Sequence, residues 1–113
     1  MKLINLTPHP VTFYSYSETQ VTIPPSGKVA RVVEEPTAEF HLEDIPVPVV
    51  DIKTGRVVDL PGPQPGVVYI VSRPVALAIA GERSDVLVPD DFVRDENGRI
   101  IGARRLARFV REE

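Results

Sequence analysis

The sequence of 113 residues contains no cysteine and no tryptophan, and it has only two histidines. Without cysteine the chain forms no disulfide, no thiolate-bound zinc site and no cysteine nucleophile. No apolar run approaches the roughly 20 residues that a membrane-spanning helix requires. The opening residues, MKLINLTPHP, also lack the apolar segment and cleavage site of a signal peptide. We therefore expect a cytoplasmic protein that does not insert into a membrane.

Known catalytic signatures are absent as well: there is no phosphate-binding loop, no dinucleotide glycine motif, no HExxH and no serine elbow. The acidic residues between positions 34 and 44 could include a glycosidase pair of carboxylates, but they equally fit a solvated loop. His9 and His41 match no known spacing of a metal site. The sequence therefore predicts neither a metal nor a cofactor, and it favours a protein without catalytic activity.

The composition that remains is typical of one globular domain. Apolar residues make up 42% and charged residues 26%, and the length suits a single core, so we predict one domain over residues 1–113. Twelve prolines, ten arginines against three lysines, and only two asparagines and two glutamines resemble the bias of heat-stable proteins. This composition predicts a thermophilic host.

The net charge of −3 is unevenly distributed along the chain. Residues 1–93 carry 7 basic and 12 acidic groups, whereas residues 94–113 carry 6 basic and 4 acidic groups. A nucleic-acid-binding domain usually has a strongly basic face interleaved with aromatic residues, or a recognisable reader motif. Here acidic residues dilute the arginines, so we expect a solvated, ion-paired surface and no nucleic-acid partner.

Short segments of alternating polar and apolar residues, bounded by proline, glycine and serine, predict a mainly β fold. We expect a small barrel or sandwich of about seven to nine short, mostly antiparallel strands. The segment GVVYIVS, residues 66–72, has an unbroken apolar run and predicts a central strand buried on both faces. Other predicted strands include 2–6, 11–16, 28–33, 45–52, 56–60 and 84–91.

One helix is predicted near residues 73–82, in the segment SRPVALAIAGER. Pro74 suits the first turn of a helix and Gly81 suits its end. Because apolar residues also alternate in this segment, a strand is the alternative. Further along, Asn97-Gly98 predicts a β-hairpin with a type I′ turn.

Three other segments carry less regular signals. Residues 34–44, EEPTAEFHLED, are acidic and weakly periodic, and we predict a loop or an exposed turn of helix. Pro46 and Pro48 remove neighbouring amide donors, which predicts an edge strand, and residues 53–55 predict a turn after it. The final segment, RRLARFVREE, fits either a strand or a helix.

The segment NLTPHPVTF, residues 5–13, concentrates polar side chains at a break between two strands. Its two prolines interrupt a β ladder and restrict the backbone around His9. Asn5, Thr7 and His9 share one face if the segment is extended, and they could hydrogen-bond a ligand. The alternative is that Asn5 and Thr7 satisfy backbone groups that the prolines leave unpaired.

Arginines supply the other candidate binding residues. Arg31 lies among valines in KVARVV, where it needs either solvent, an internal ion pair or a bound anion. Arg73 and Arg83 bracket the predicted helix, and Ser72 precedes it. A helix start with serine and arginine can receive an anion, although plain capping explains the same residues.

Several blocks resemble a family of small uncharacterised proteins of bacteriophages and prophages: NLTPHPV near the start, PPSGKVARV, LPGPQPGVVYIVS, GERSDVLVPD and RDENGRIIGAR. The resemblance covers most of the chain and implies a phage-encoded protein in the host cytoplasm, without implying an activity. Two departures are the extra proline in IPVPVV and the run Pro89-Asp90-Asp91-Phe92, where the family has a small residue and glycine after Pro-Asp.

Two functions fit such a protein. The first is a binding protein that sequesters a nucleotide-derived immune signal, with a pocket at the interface of a homo-oligomer. Its candidate residues are Asn5, Thr7, His9, Arg31, Tyr69, Ser72, Arg73 and Arg83, with the tyrosine stacking on a base and arginine holding phosphate. The alternative is a virion or assembly accessory protein, which needs exposed edges and apolar patches rather than a pocket. The sequence favours the first.

Overall fold

The computed structural model describes residues 1–17 and 19–112, in which eight strands and one short helix occur. The prediction of a mainly β fold is confirmed. In chain order the elements are β1 (Lys2–Asn5), β2 (Val11–Tyr14), β3 (Gln20–Ile23), β4 (Arg31–His41), β5 (Pro48–Val58), β6 (Val67–Ile70), α1 (Arg73–Ala78), β7 (Val86–Arg94) and β8 (Ile100–Ala107).

Six strands form one curved sheet in the order β1-β6-β7-β8-β2-β3. The antiparallel pairs contain most of the paired residues, as predicted, although β1, β6 and β7 pair in parallel and so do β2 and β8. The two ends of the sheet meet just beyond β3, where the amide of Ser26 donates to the carbonyl of Asn5 at 2.9 Å. The sheet is therefore a nearly closed barrel.

The core lies between this sheet and α1. β6 is the most buried strand, since Tyr69 and Ile70 expose 1% or less of their surface, which confirms the predicted central strand. From α1, Val75 and Ala76 pack against it. An apolar run needs cover on both faces, and the barrel interior and the helix provide it. The buried cluster is Leu6, Ala30, Tyr69, Val71, Val75, Ala76, Val86 and Val88.

The segment after β6 is a helix, as predicted, and not a strand. Ser72 has the extended backbone of an N-cap residue and Pro74 lies in the first turn, where its missing amide costs nothing. The helix ends at Ala78, four residues earlier than predicted. Isolated turns follow, in which Gly81 has a positive φ of 80° and its amide donates to the carbonyl of Phe109.

The largest error of the sequence-based prediction lies in residues 31–58. The predicted loop at 34–44 is mostly strand, because β4 continues to His41, and the predicted turn at 53–55 lies inside β5. These two strands of 11 residues pair only with each other. Two register shifts along the pair and a φ of 117° at Gly55 accommodate the irregular sequence. The predicted edge strand at residues 45–52 corresponds to the start of β5, from Pro48, and β5 is an edge strand because it pairs with β4 alone.

The hairpin at Asn97-Gly98 is confirmed, but its predicted turn type is wrong. A type I′ turn needs positive φ at both residues, and here only Gly98 has it. Instead, the carboxylate of Asp95 accepts hydrogen bonds from the amides of Asn97 and Arg99 at 2.9 and 3.0 Å. This side chain holds a longer loop closed. Beyond it, the segment that fitted strand or helix continues β8 to Ala107.

Candidate functional site

Asn5, the one buried polar side chain among the described residues, closes the barrel. Its Nδ2 donates to the carbonyl oxygens of His9 at 2.9 Å and Ile23 at 3.1 Å. Its Oδ1 accepts from the amide and the hydroxyl of Thr7 at 2.9 and 2.7 Å. The full hydrogen-bonding capacity of the amide is therefore used within the protein. Of the two explanations for this segment, the geometry favours satisfaction of the backbone, and the His9 side chain is exposed.

Tyr69 and Arg83 are also engaged internally. The Tyr69 hydroxyl donates to the carbonyl of Gly62 at 3.3 Å, and the ring lies in the core. The Arg83 guanidinium makes two hydrogen bonds of 2.8 Å to Asp85 and a third of 2.9 Å to the carbonyl of Pro61. Hydrogen bonding from Arg83 lowers the pKa of Asp85 below its usual value. Tyr69 and Arg83 therefore do not line a shared pocket.

Ser72 and Arg73 lie at the start of α1, and both are exposed. The Ser72 side chain makes no capping hydrogen bond. The Arg73 guanidinium lies over the ring of Phe109, 4.8 Å from its centroid, in a cation–π contact. The helix has only six residues, so its dipole is weak, and the ring of Phe109 orients Arg73.

Arg31 borders a cleft with a volume of about 570 Å³. No carboxylate among those residues lies within 4.0 Å of the charged atoms of Arg31 or Lys28. Of the eight predicted binding residues, only Arg31 lines this cleft, so the structure does not bring the eight together. The lining residues are Gly27, Lys28, Val29, Arg31, Asp59, Leu60 and Pro61.

The arm, which we define as residues 31–58, is the most unusual feature of the molecule. The radius of gyration is 17.5 Å, whereas a compact chain of this length has about 13 Å, and the longest dimension is 57 Å. At its base the arm packs against α1. In its outer part, the arm tip (residues 34–52), every residue is exposed except the half-buried Val49.

The arm tip exposes an uncommon number of large apolar side chains. Six of them have between 41% and 54% of their surface in contact with solvent: Phe40, Leu42, Ile45, Val47, Val50 and Ile52. They lie on both faces of the ribbon, since Phe40 pairs with Val49 while Val50 pairs with Glu39. Large apolar side chains exposed together on one short segment are typical of surfaces that contact another molecule.

Comparisons with protein-family models, curated proteins and solved structures give no significant match. The function is therefore inferred from geometry and chemistry. Within the described part of the chain, no helix is long and apolar enough to span a membrane, and no three metal-ligating side chains are grouped.

A second surface, which sequence reasoning missed, combines arginines with aromatic rings. We call it the arginine–aromatic patch: Tyr16, Arg73, Arg104, Arg105 and Phe109. The guanidinium of Arg104 lies 4.9 Å from the centroid of the Tyr16 ring, and that of Arg73 lies 4.8 Å from the centroid of the Phe109 ring. The basic end of the chain was visible in the sequence, but its contact with Tyr16 joins residues far apart along the chain.

Two carboxylates, Asp90 and Asp91, accept hydrogen bonds from residues of this patch. Asp90 accepts a hydrogen bond of 2.8 Å from Arg105, which is the main reason that the pKa of Asp90 is lowered, and the charge of Arg73 adds to the effect. The Tyr16 hydroxyl donates to Asp91 at 2.8 Å, and this bond raises the pKa of Tyr16 above its usual value. Asp91 has a positive φ of 54°, an uncommon conformation for a non-glycine residue.

Proposed function

We propose that this protein is a non-catalytic assembly protein that acts through protein–protein contacts made by its arm. The resemblance to phage proteins suggests a virion or an assembly accessory as the setting. The observation that carries the proposal is the exposed apolar surface of the arm tip. An arm that makes such contacts needs no catalytic residues and no convergent pocket.

The energetics of the arm support this function. An isolated two-stranded hairpin is at best marginally stable in water, because it cannot bury enough apolar surface to offset its loss of conformational entropy. The arm pairs with no third strand, and its tip has no fully buried residue. Covering the six exposed apolar side chains with a partner would supply the missing burial.

The test compares two matched double variants in the protein's native cells. Val50→Ser with Ile52→Ser changes the arm tip, and Val21→Ser with Leu77→Ser changes equally exposed residues of the barrel and helix. Each chain carries a small tag and is sized by gradient sedimentation of the cleared lysate. We expect the wild type and the barrel variant in high-mass assemblies and the arm variant at the top of the gradient.

Because all four substitutions affect exposed side chains, thermal melting of the purified variants should match the wild type. This measurement separates a lost contact from a lost fold. An arm variant that is folded and still sediments with the high-mass assemblies would contradict the proposed function.

A second candidate function is the capture of an anionic small molecule, such as a nucleotide derivative, in the cleft beside Arg31. Lys28 and Arg31 favour it, because both line the cleft without a carboxylate partner in the described residues. A ligand that binds only the folded state raises the melting temperature. Thermal shift with cyclic nucleotides and ADP-ribose derivatives tests it, and Arg31→Ala should abolish any shift.

A further inference from the structure

We propose that the arm tip binds the arginine–aromatic patch of a second copy of this chain, in a head-to-tail contact. This inference rests on the proposed function, since it names the partner of the arm. It is carried by the charge and composition of the two surfaces.

The arm tip is strongly acidic. It contains no lysine or arginine, and its six acidic residues give it a charge of −6, so the rest of the chain carries +3. Only two of these carboxylates lie within 4.0 Å of a basic group among the described residues: Glu35 beside Arg56 and Glu39 beside His41. The acidic residues are Glu34, Glu35, Glu39, Glu43, Asp44 and Asp51.

These charges argue against pairing of one arm with another. Two arm tips in contact would bring twelve carboxylates together, and like charges across an interface are costly. The ribbon is also a poor template for strand addition, because Pro36, Pro46 and Pro48 have no amide donor. The arm tip therefore needs a basic partner that contacts its side chains rather than its backbone.

The arginine–aromatic patch has the matching chemistry. Arginine and aromatic residues are enriched at protein interfaces, where they carry much of the binding energy. Tyr16 is 79% exposed, and its hydroxyl and ring are held by Asp91 and Arg104. Stacking on rings holds the guanidinium groups of Arg73 and Arg104 in place before binding, which lowers the entropy lost on contact. Arg105 is already paired with Asp90, but Arg73 and Arg104 have no carboxylate within 4.0 Å among the described residues, so their charges complement the carboxylates of the arm tip. The rings complement its apolar side chains.

Each copy offers one arm tip and one patch, so the contact is heterologous. Such a contact repeats until it closes into a ring, or it continues as a filament. Either product is an assembly in which every arm is covered.

The test uses purified full-length protein, light scattering after gel filtration and charge reversal on each surface. The tip variant carries Glu34→Arg, Glu39→Arg, Glu43→Arg and Asp44→Arg, which changes the charge of the arm tip from −6 to +2. The patch variant carries Arg73→Glu and Arg104→Glu. We expect the wild type to form oligomers whose mass rises with concentration, and each variant alone to be monomeric. The chain that combines the tip and patch substitutions should oligomerise again, because the tip is then basic and the patch acidic. The control, Lys2→Glu with Glu96→Arg, reverses exposed charges outside both surfaces and should behave as the wild type.

Three outcomes would overturn the inference: a patch variant that still oligomerises, which indicates another contact; a combined variant that stays monomeric while it melts like the wild type; or a wild type that is monomeric at every concentration. The last result leaves the proposed function standing if Val50→Ser with Ile52→Ser still removes the protein from native assemblies, since the arm then binds a different protein. If that variant remains in native assemblies, the proposed function itself fails.

Discussion

The barrel and the arm are built from the same chain on opposite principles. The barrel buries its apolar residues around Tyr69 and Val75, both 1% exposed or less. The side-chain amide of Asn5 closes its seam, which is the place where the two ends of the sheet, β1 and β3, meet. The arm has strands more than twice as long as β6, yet its tip leaves six large apolar side chains half exposed. The barrel therefore has a buried core, whereas the arm tip has none, and the partner that we propose would supply the burial that the tip lacks.

The largest effect is expected in the barrel core. Tyr69→Ala removes a buried ring and leaves a cavity, so the free energy of unfolding should fall by about 3–5 kcal/mol. Urea denaturation measures the loss. Tyr69→Phe serves as the control for the hydroxyl and should cost about 1 kcal/mol or less. A loss below 1 kcal/mol for Tyr69→Ala would mean that the core does not depend on β6.

The next largest effect is expected at the seam. Asn5→Ala removes the two hydrogen bonds that Nδ2 donates to the carbonyls of His9 and Ile23. It also removes the two that Oδ1 accepts from Thr7. The free energy of unfolding should fall by about 2–3 kcal/mol. Hydrogen exchange should also accelerate in β1 and β3 more than in β7. Uniform exchange across all strands would show that Asn5 does not hold the seam.

A smaller, pH-dependent effect is expected for the ion pair of Arg83 and Asp85. The pKa of Asp85 is lowered in the folded state, so its contribution is present in full above its unfolded-state value, near pH 4, and is lost as the pH falls from there. Asp85→Asn should be less stable than the wild type by about 1–2 kcal/mol at pH 7. Denaturation at several pH values should show this difference shrinking in acid, and a constant difference would contradict the ion pair.

The smallest effect is expected on the arm. Phe40→Ala in the monomeric protein should change the free energy of unfolding by less than about 0.5 kcal/mol, because the ring is 47% exposed and lies outside the buried core cluster. Urea denaturation of the monomeric protein provides the comparison with Tyr69→Ala. A loss of more than about 2 kcal/mol would show that the arm is folded as firmly as the barrel.

Features set by local sequence were predictable, and those set by distant contacts were not. β6, the start of α1 and the hairpin at Asn97-Gly98 follow from an apolar run, a proline and a turn signal. Parts of the arm were predicted as strands, at 28–33, 45–52 and 56–60. Residues 34–41 were predicted as a loop because acidic residues and Pro36 are typical of loops, and only pairing with β5 makes them a strand. The polar residues around Asn5 were visible in the sequence. The role of Asn5 was not, because its side chain donates to the carbonyl of Ile23, and only the fold brings β3 back to β1.

The uneven charge of the arm makes the molecule an electric dipole. A projecting ribbon holds −6 while the remainder holds +3, so charged matrices respond to each end separately rather than to the net charge of −3. An anion-exchange resin binds the acidic arm tip, and a cation-exchange resin binds the basic remainder of the molecule. The protein should therefore be retained by both resins at neutral pH and low salt, and it should bind any charged surface in a preferred orientation.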